Sequence, residues 1–216
     1  KLISQSQYLQ SKHNYLETPK FIQSEFDHIK NTIPIEDESI EFFKKFIQHE
    51  KVSLPIERFK DIYILSEYFD ITHLTHELDL LFQKEFINND LDFTIQTLFD
   101  LNSIKNKFET KLTNKIESYL SSQVNECIQI PTFSNLPISS IYRIFEGINE
   151  DGVNFDLLID FIIESIENRF ILFEFVDFQK LTEKKIEKII KMTNDEKKNC
   201  KKSDYSSAQL NYSLIK

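Results

Sequence analysis

His73 and His76 stand three residues apart and are followed at once by Glu77. On a helix that spacing brings side chains to one face, and two imidazoles with a carboxylate are ordinary zinc ligands. No further ligand is apparent nearby. Both histidines fall off the Leu74, Leu78 and Leu81 stripe of the same segment, so a polar helix surface fits them better than a metal site. His13, His28 and His49 are isolated, and Glu41, Glu57 and Glu67 sit among lysines as ordinary surface charge. No serine is set in a nucleophile elbow and no glycine-rich phosphate loop exists. Cys127 lies beside Ile128 and near Ile130 with no basic neighbour to lower its pKa, which marks a small hydrophobe rather than a reactive thiol. The expectation is a non-enzymatic protein that needs no cofactor and no metal.

Charge narrows the partners. The 216 residues carry a formal net charge of −9, against the clustered Lys and Arg from which nucleic-acid binding draws its affinity. Lys197, Lys198, Lys201 and Lys202 share their segment with Asp195, Glu196 and Asp204 and read as a solvated linker. No apolar run approaches the roughly 20 residues that span a bilayer, so neither nucleic acid nor membrane is expected as a partner. Cys127 and Cys200 are far apart, without metal spacing, which suits a reducing cytoplasmic or nuclear compartment. With 40% apolar and 28% charged residues the composition is globular. The apolar share leans on Ile, Leu and 20 Phe, with Ala208 the single alanine.

The elements follow from spacing. Residues 32–36, Thr-Ile-Pro-Ile-Glu, read as a short strand that Pro34 confines to an edge. Asp37 and Ser39 are candidate caps for a helix bearing Ile40, Phe43, Phe46 and Ile47. Pro55 opens the next helix, whose apolar face runs Phe59, Ile62, Leu65 and Phe69. Asp70-Ile71-Thr72 interrupts, and Thr72 is the expected cap of a helix with Leu74, Leu78, Leu81 and Phe82. Asn88-Asn89-Asp90 looks like a domain seam. Helices are expected at 91–101 and 103–121 with Asn102 between them, the second striped by Ile104, Phe108, Leu112, Ile116 and Leu120. Pro137 starts a helix through Ile141, Ile144 and Phe145. The run Phe155, Leu158, Ile159, Ile162, Ile163 and Ile166 is apolar enough to be buried on more than one side. Phe173 to Phe178 reads as extended, and Thr182 as the cap of a last helix holding Ile186, Ile189 and Ile190. Beyond Met192 the chain turns polar.

Part of this order resembles a known pair of domains. IPIEDESIEFFKKFI, followed by VSLPIERFKDIYILSEYFDI with Leu54, Glu57, Phe59, Tyr68, Phe69 and Ile71 in register, is similar to the second half of a BTB/POZ domain. LTHELDLLF matches its next helix, with Leu78 where the family usually has cysteine and Ser66 where it has alanine. Upstream, ISQSQYL resembles the family's Ser-x-Tyr helix through Ser6 and Tyr8. Residues 90–190 resemble a BACK domain, in IESYLSSQVNECIQIPTFSNLPISSIYRIFEG with Phe133, Leu136 and Pro137, and in FEFVDFQKLTEKKIEKI. Asp156, Ser165 and Asp177 depart from that family's usual Glu, Trp and basic residue.

The resemblance implies a mostly α protein, a helix bundle with a few short strands from a truncated α+β BTB domain whose first strands and helix lie upstream of Lys1. It divides the chain into a partial BTB/POZ domain at 1–87, a BACK-like helical domain at 88–192 and a polar linker or tail at 193–216. It implies a substrate adaptor of a cullin-type ubiquitin ligase, with homodimerisation through the BTB part. The family's cullin contact often includes an apolar-x-Glu motif after the Ser-x-Tyr helix, which Tyr15, Leu16 and Glu17 fit in form. The alternative is a dimerising or capping scaffold ahead of an ankyrin-type repeat array, into which the closing LNYSLIK would lead, with no ligase role.

Overall fold

The computed structural model describes residues 19–47, 54–86, 91–106 and 108–199. The chain is mostly α-helical, and no strand occurs among these residues. Among the described residues the α-helices are α1 (Pro19–Thr32), α2 (Asp37–Ile47), α3 (Phe59–Tyr68), α4 (Thr72–Leu81), α5 (Leu91–Ile104), α6 (Lys111–Ser122), α7 (Val124–Cys127), α8 (Ile138–Glu146), α9 (Phe155–Glu164), α10 (Ile166–Arg169) and α11 (Glu183–Asn199). Two compact units share them, one through Ile148 and the other from Asn149. No helix among the described residues is long and apolar enough to cross a membrane.

In the first unit α3 is the central element. Phe59, Asp61, Ile62, Tyr63, Ile64, Leu65 and Ser66 are all buried, so the helix meets neighbours on nearly every side. α2 and α4 pack against it. Phe26 of α1, Phe43 of α2 and Phe69 form a closed aromatic trio with ring centroids 5.0–6.2 Å apart. That separation suits tilted or edge contacts between ring quadrupoles.

The interruption after α3 is a left-handed helix stop. Asp70 has φ 49°, while the amide of Ile71 donates to Ser66 O and that of Asp70 to Glu67 O. Those two bonds satisfy orphan carbonyls in the Schellman pattern, with Asp where glycine is more usual. Ile71, not Thr72, occupies the cap position of α4, and Thr72 is the helix's first residue.

α5 packs on α6, and α6 on α8. The expected break at Asn102 falls instead after Ile104. Asn102 stays helical by turning its amide back to Leu98 O at 2.9 Å, and Thr110 supplies the cap of α6, its hydroxyl accepting from the Leu112 amide. Gly147 ends α8 where a Cβ would lie 2.9 Å from Ser121 Oγ. A side chain at this position would require Ser121 to move aside.

Two extended segments expected from the sequence are corrected. Residues 34–36 are an irregular link from α1 to α2, not a strand. Ile33 and Ile35 are buried, and the Glu36 amide donates to Asp61 Oδ2 of α3 rather than to a neighbouring strand. Phe170–Phe175 coils into a three-ten helix, leaving only Val176 and Asp177 extended. Asn88-Asn89-Asp90 lies outside the described residues. Lys60 of α3 pairs with Asp100 of α5 at 2.9 Å, and Glu67 reaches the start of α6, so helices on both sides of that stretch belong to one unit.

In the second unit α9 is the buried centre. Phe155, Leu158, Ile159, Phe161 and Ile162 are enclosed, as the breadth of the stripe requires. Asn154 caps the helix by accepting from the amides of Asp156 and Leu157. α10 and the three-ten turn at 170–175 pack on it. α11 is tied to it through Thr182, which donates its amide and hydroxyl to Asp156, and through Lys185 and Lys188, which both reach Asp160.

Candidate interaction surfaces

Tyr15, Leu16 and Glu17 lie outside the described residues, as do His13, His49 and Cys200. His73, His76 and Glu77 are all exposed on α4, opposite the buried Leu74 and Leu78. Among the described residues no group of three or more His, Cys, Asp or Glu is arranged to hold a metal ion. Cys127 is fully buried, its thiol 3.7 Å from Leu120 O. Burial pushes that thiol up to about 12, so it stays protonated and packs as the small hydrophobe its neighbours imply.

The buried polar groups of the first unit join helices. Tyr63 donates to Asp79 Oδ1 at 2.8 Å, and Lys115 of α6 lies 3.1 Å from the same oxygen, so α3, α4 and α6 meet at one carboxylate. Burial, then the Asp79 hydrogen bond, drives the Tyr63 phenol far above its ordinary value and holds it neutral.

Glu67 is no ordinary surface charge. Its carboxylate accepts from the Thr110 hydroxyl and from the Lys111 amide at 3.2 Å, at the N-terminus of α6. Burial raises its pKa, although both of those hydrogen bonds act to lower it. Free amides and the positive end of the helix dipole make this end of α6 a good place for a carboxylate.

A third junction links α5, α6 and α8. Arg143 makes a bidentate pair with the buried Glu117, Nε to Oε2 at 2.7 Å and a terminal nitrogen to Oε1 at 2.6 Å. The same arginine donates to Ser140 Oγ, which donates to Asn102 Oδ1. At each junction a buried group, Tyr63, Thr110 or Glu117, finds a hydrogen-bonding partner on another helix, which is how a packed interior accommodates it.

The second unit carries a different feature. Along Phe170–Phe175 the three-ten repeat stacks residues i and i+3 on one ridge. Leu172 faces the core, Phe170 and Phe173 form a second ridge with centroids 5.7 Å apart, and Ile171 with Glu174 forms the outermost. Phe173 then stacks nearly parallel on Phe178 at 6.4 Å. Ile171 is 52% exposed and Phe178 37%. Together they make an aromatic ladder with an aliphatic ridge at the surface.

Glu167 and Glu174 beside this ladder are exposed. Between 149 and 182 the cations are Arg169 and Lys180. Arg169 is buried, its guanidinium 3.8 Å from the Phe161 ring centroid, and Lys180 lies over Phe155 and 3.7 Å from Asp177. Arg169 is thus withdrawn from the surface and Lys180 stays exposed beside Asp177, so the carboxylates of Glu167 and Glu174 outnumber the exposed cation of this segment.

From sequence Phe173 to Phe178 reads as extended, and nothing there marks a surface. The available signal was its period: in FILFEF the one charged residue, Glu174, falls three after Ile171. A period of three is neither the strand's two nor the α-helix's 3.6. The chain matches no protein-family model, no curated protein and no solved structure.

Proposed function

We propose that the chain is a protein–protein interaction module, a substrate-adaptor fragment that presents helical surfaces to a cullin-type ubiquitin ligase scaffold and to a substrate. The observation that carries the reading is the paired likeness in sequence to BTB and BACK domains at 39–86 and 103–190, in the order those domains take. The physical features agree with it in kind. The buried polar groups described above are occupied in holding helices together, while large apolar side chains such as Leu80, Phe99 and Ile171 remain exposed. Exposed apolar area rimmed by charge is what docking surfaces offer.

In this reading Tyr15 and Leu16 supply an apolar anchor and Glu17 a carboxylate for a basic groove on the scaffold. A cullin should co-purify with the full chain at low salt, and replacing Tyr15 and Glu17 by alanine should reduce the recovery. Failure of the parent chain to retain any cullin under those conditions would overturn the ligase assignment. A roughly 33-residue period in sequence that follows Lys216 would instead favour the scaffold reading.

A further inference from the structure

We propose that the aromatic ladder of the second unit docks a basic amphipathic helix from a partner protein, its aliphatic side chains against Ile171, Phe173 and Phe178 and its Lys or Arg residues toward Glu167 and Glu174. The inference rests on the interaction-module reading but does not require a cullin.

Geometry and charge both support it. The outer ridge of the three-ten turn pairs an exposed aliphatic side chain with a carboxylate, and the neighbouring ridge offers ring faces and edges stacked from Phe170 through Phe173 to Phe178. A helix that repeats aliphatic residues every three or four positions lays one stripe along such a ridge and carries charge to either side.

The sign of that charge is set by the margin. Glu167 and Glu174 are exposed and Arg169 is buried on Phe161, while Lys180, itself exposed, lies 3.7 Å from Asp177. Two exposed carboxylates against one exposed lysine favour a cationic partner over an anionic membrane or a nucleic acid. A second copy meeting this patch about a two-fold axis would bring two patches of the same acidic character together, which is less favourable than a cationic partner. A cationic helix gains attraction during encounter and an apolar footing once docked.

The test uses the full chain and a dye-labelled synthetic helix of about 18 residues, five turns, with leucine on one face and lysine on the other. A counterpart carries glutamate for lysine. Fluorescence anisotropy should show binding of the lysine helix that weakens as salt rises. Its affinity should fall about tenfold or more in Ile171→Ser and in Glu174→Lys, and Glu174→Lys should improve binding of the glutamate helix.

Both substitutions alter exposed side chains, and unchanged helical circular dichroism would show that folding is intact. Leu80→Ser and Glu57→Lys, exposed changes in the first unit, should leave binding within about twofold. The proposal is overturned if the two helices bind equally, if neither Ile171→Ser nor Glu174→Lys weakens the lysine helix, or if the first-unit controls weaken it as much. It is also overturned if the chain self-associates through Ile171 and the peptide merely competes. Loss of cullin capture in the Tyr15 and Glu17 variant, with lysine-helix binding intact, would separate the two proposals.

Discussion

Glu67 and Asp160 are both carboxylates that join helices, one in each compact unit, and their surroundings move them in opposite directions. Glu67 reaches from α3 to the first turn of α6, where it meets one hydroxyl and one amide; burial dominates and raises its pKa. Asp160 reaches from α9 to Lys185 and Lys188 of α11; burial would raise it, but the two ammonium groups more than offset that and hold it low. The first unit thus closes over buried polar groups and aromatic packing. The second draws α11 onto α9 with ion pairs nearer solvent. A packed junction is insensitive to salt, whereas an exposed ionic one weakens with it.

The sharpest way to break this comparison is to remove a ring from each unit. Phe69 is fully enclosed and touches the rings of Phe26, Phe43 and Tyr68. Phe69→Ala should cost about 3–5 kcal/mol, the range for a buried aromatic that leaves a cavity. Phe173→Ala, at a half-buried ring, should cost well under half as much. Denaturant unfolding with hydrogen exchange read on peptides from α3 and α9 checks both. Equal losses would remove the contrast between a core-held and a surface-clasped unit.

Next in size is the buried pair. Glu117→Ala strands the Arg143 guanidinium beside Ser140, with no carboxylate to accept its two donors. The cost should be about 1–3 kcal/mol, reduced from the fully buried case because the arginine is partly solvated. Glu117→Gln keeps an acceptor and should recover part of it. If urea midpoints do not separate these two variants, the junction is held by packing alone.

A smaller effect belongs to Asp160. A carboxylate whose folded pKa lies below its unfolded value adds stability above the unfolded value and loses it as pH falls through the folded one. Asp160→Asn should therefore cost about 0.5–1 kcal/mol at neutral pH, on the scale of exposed pairs, and less in acid or at high salt. Proteolysis between α9 and α11 at two salt concentrations reads this directly. A variant as salt-sensitive as the parent would show that Lys185 and Lys188 do not fasten α11.

How far these features were legible in sequence depended on distance along the chain. The stripes of α3, α4, α6 and α9 and the burial of Cys127 follow from the spacing of apolar residues, because a helix repeats its face locally. Proline at 137 and glycine at 147 mark where α8 begins and ends for equally local reasons. Capping was harder to see: Asn102 and Thr110 are both plausible breaks, and the choice depends on which finds a partner, Leu98 O for one and the Leu112 amide for the other. Glu67 was illegible as anything but surface charge, since Thr110 and Lys111 lie more than forty residues away. The aromatic ladder hid in a three-residue repeat that neither the strand nor the α-helix template detects.

Glu67 supplies the finest test, because its sign is opposite to that of Asp160. A carboxyl whose folded pKa lies above its unfolded value contributes stability that is fully present below the unfolded pKa and is lost as pH rises through the folded one. The groups facing it are Lys111, which lowers the shift, and Asp79, which adds to it. Thermal midpoints of the parent should therefore fall, by an amount equivalent to under about 1 kcal/mol, as pH climbs from the ordinary carboxylate range through the raised value. Glu67→Gln keeps one accepting oxygen for the Lys111 amide, turns an NH2 toward the Thr110 hydroxyl and carries no charge to desolvate. It should melt no lower than the parent at neutral pH and show less of that decline, whereas Asp160→Asn should show less of the loss in acid. A Glu67→Gln protein that declines as steeply as the parent would mean that the Glu67 carboxyl is not the group behind the decline and that its burial on α6 does not shift its titration.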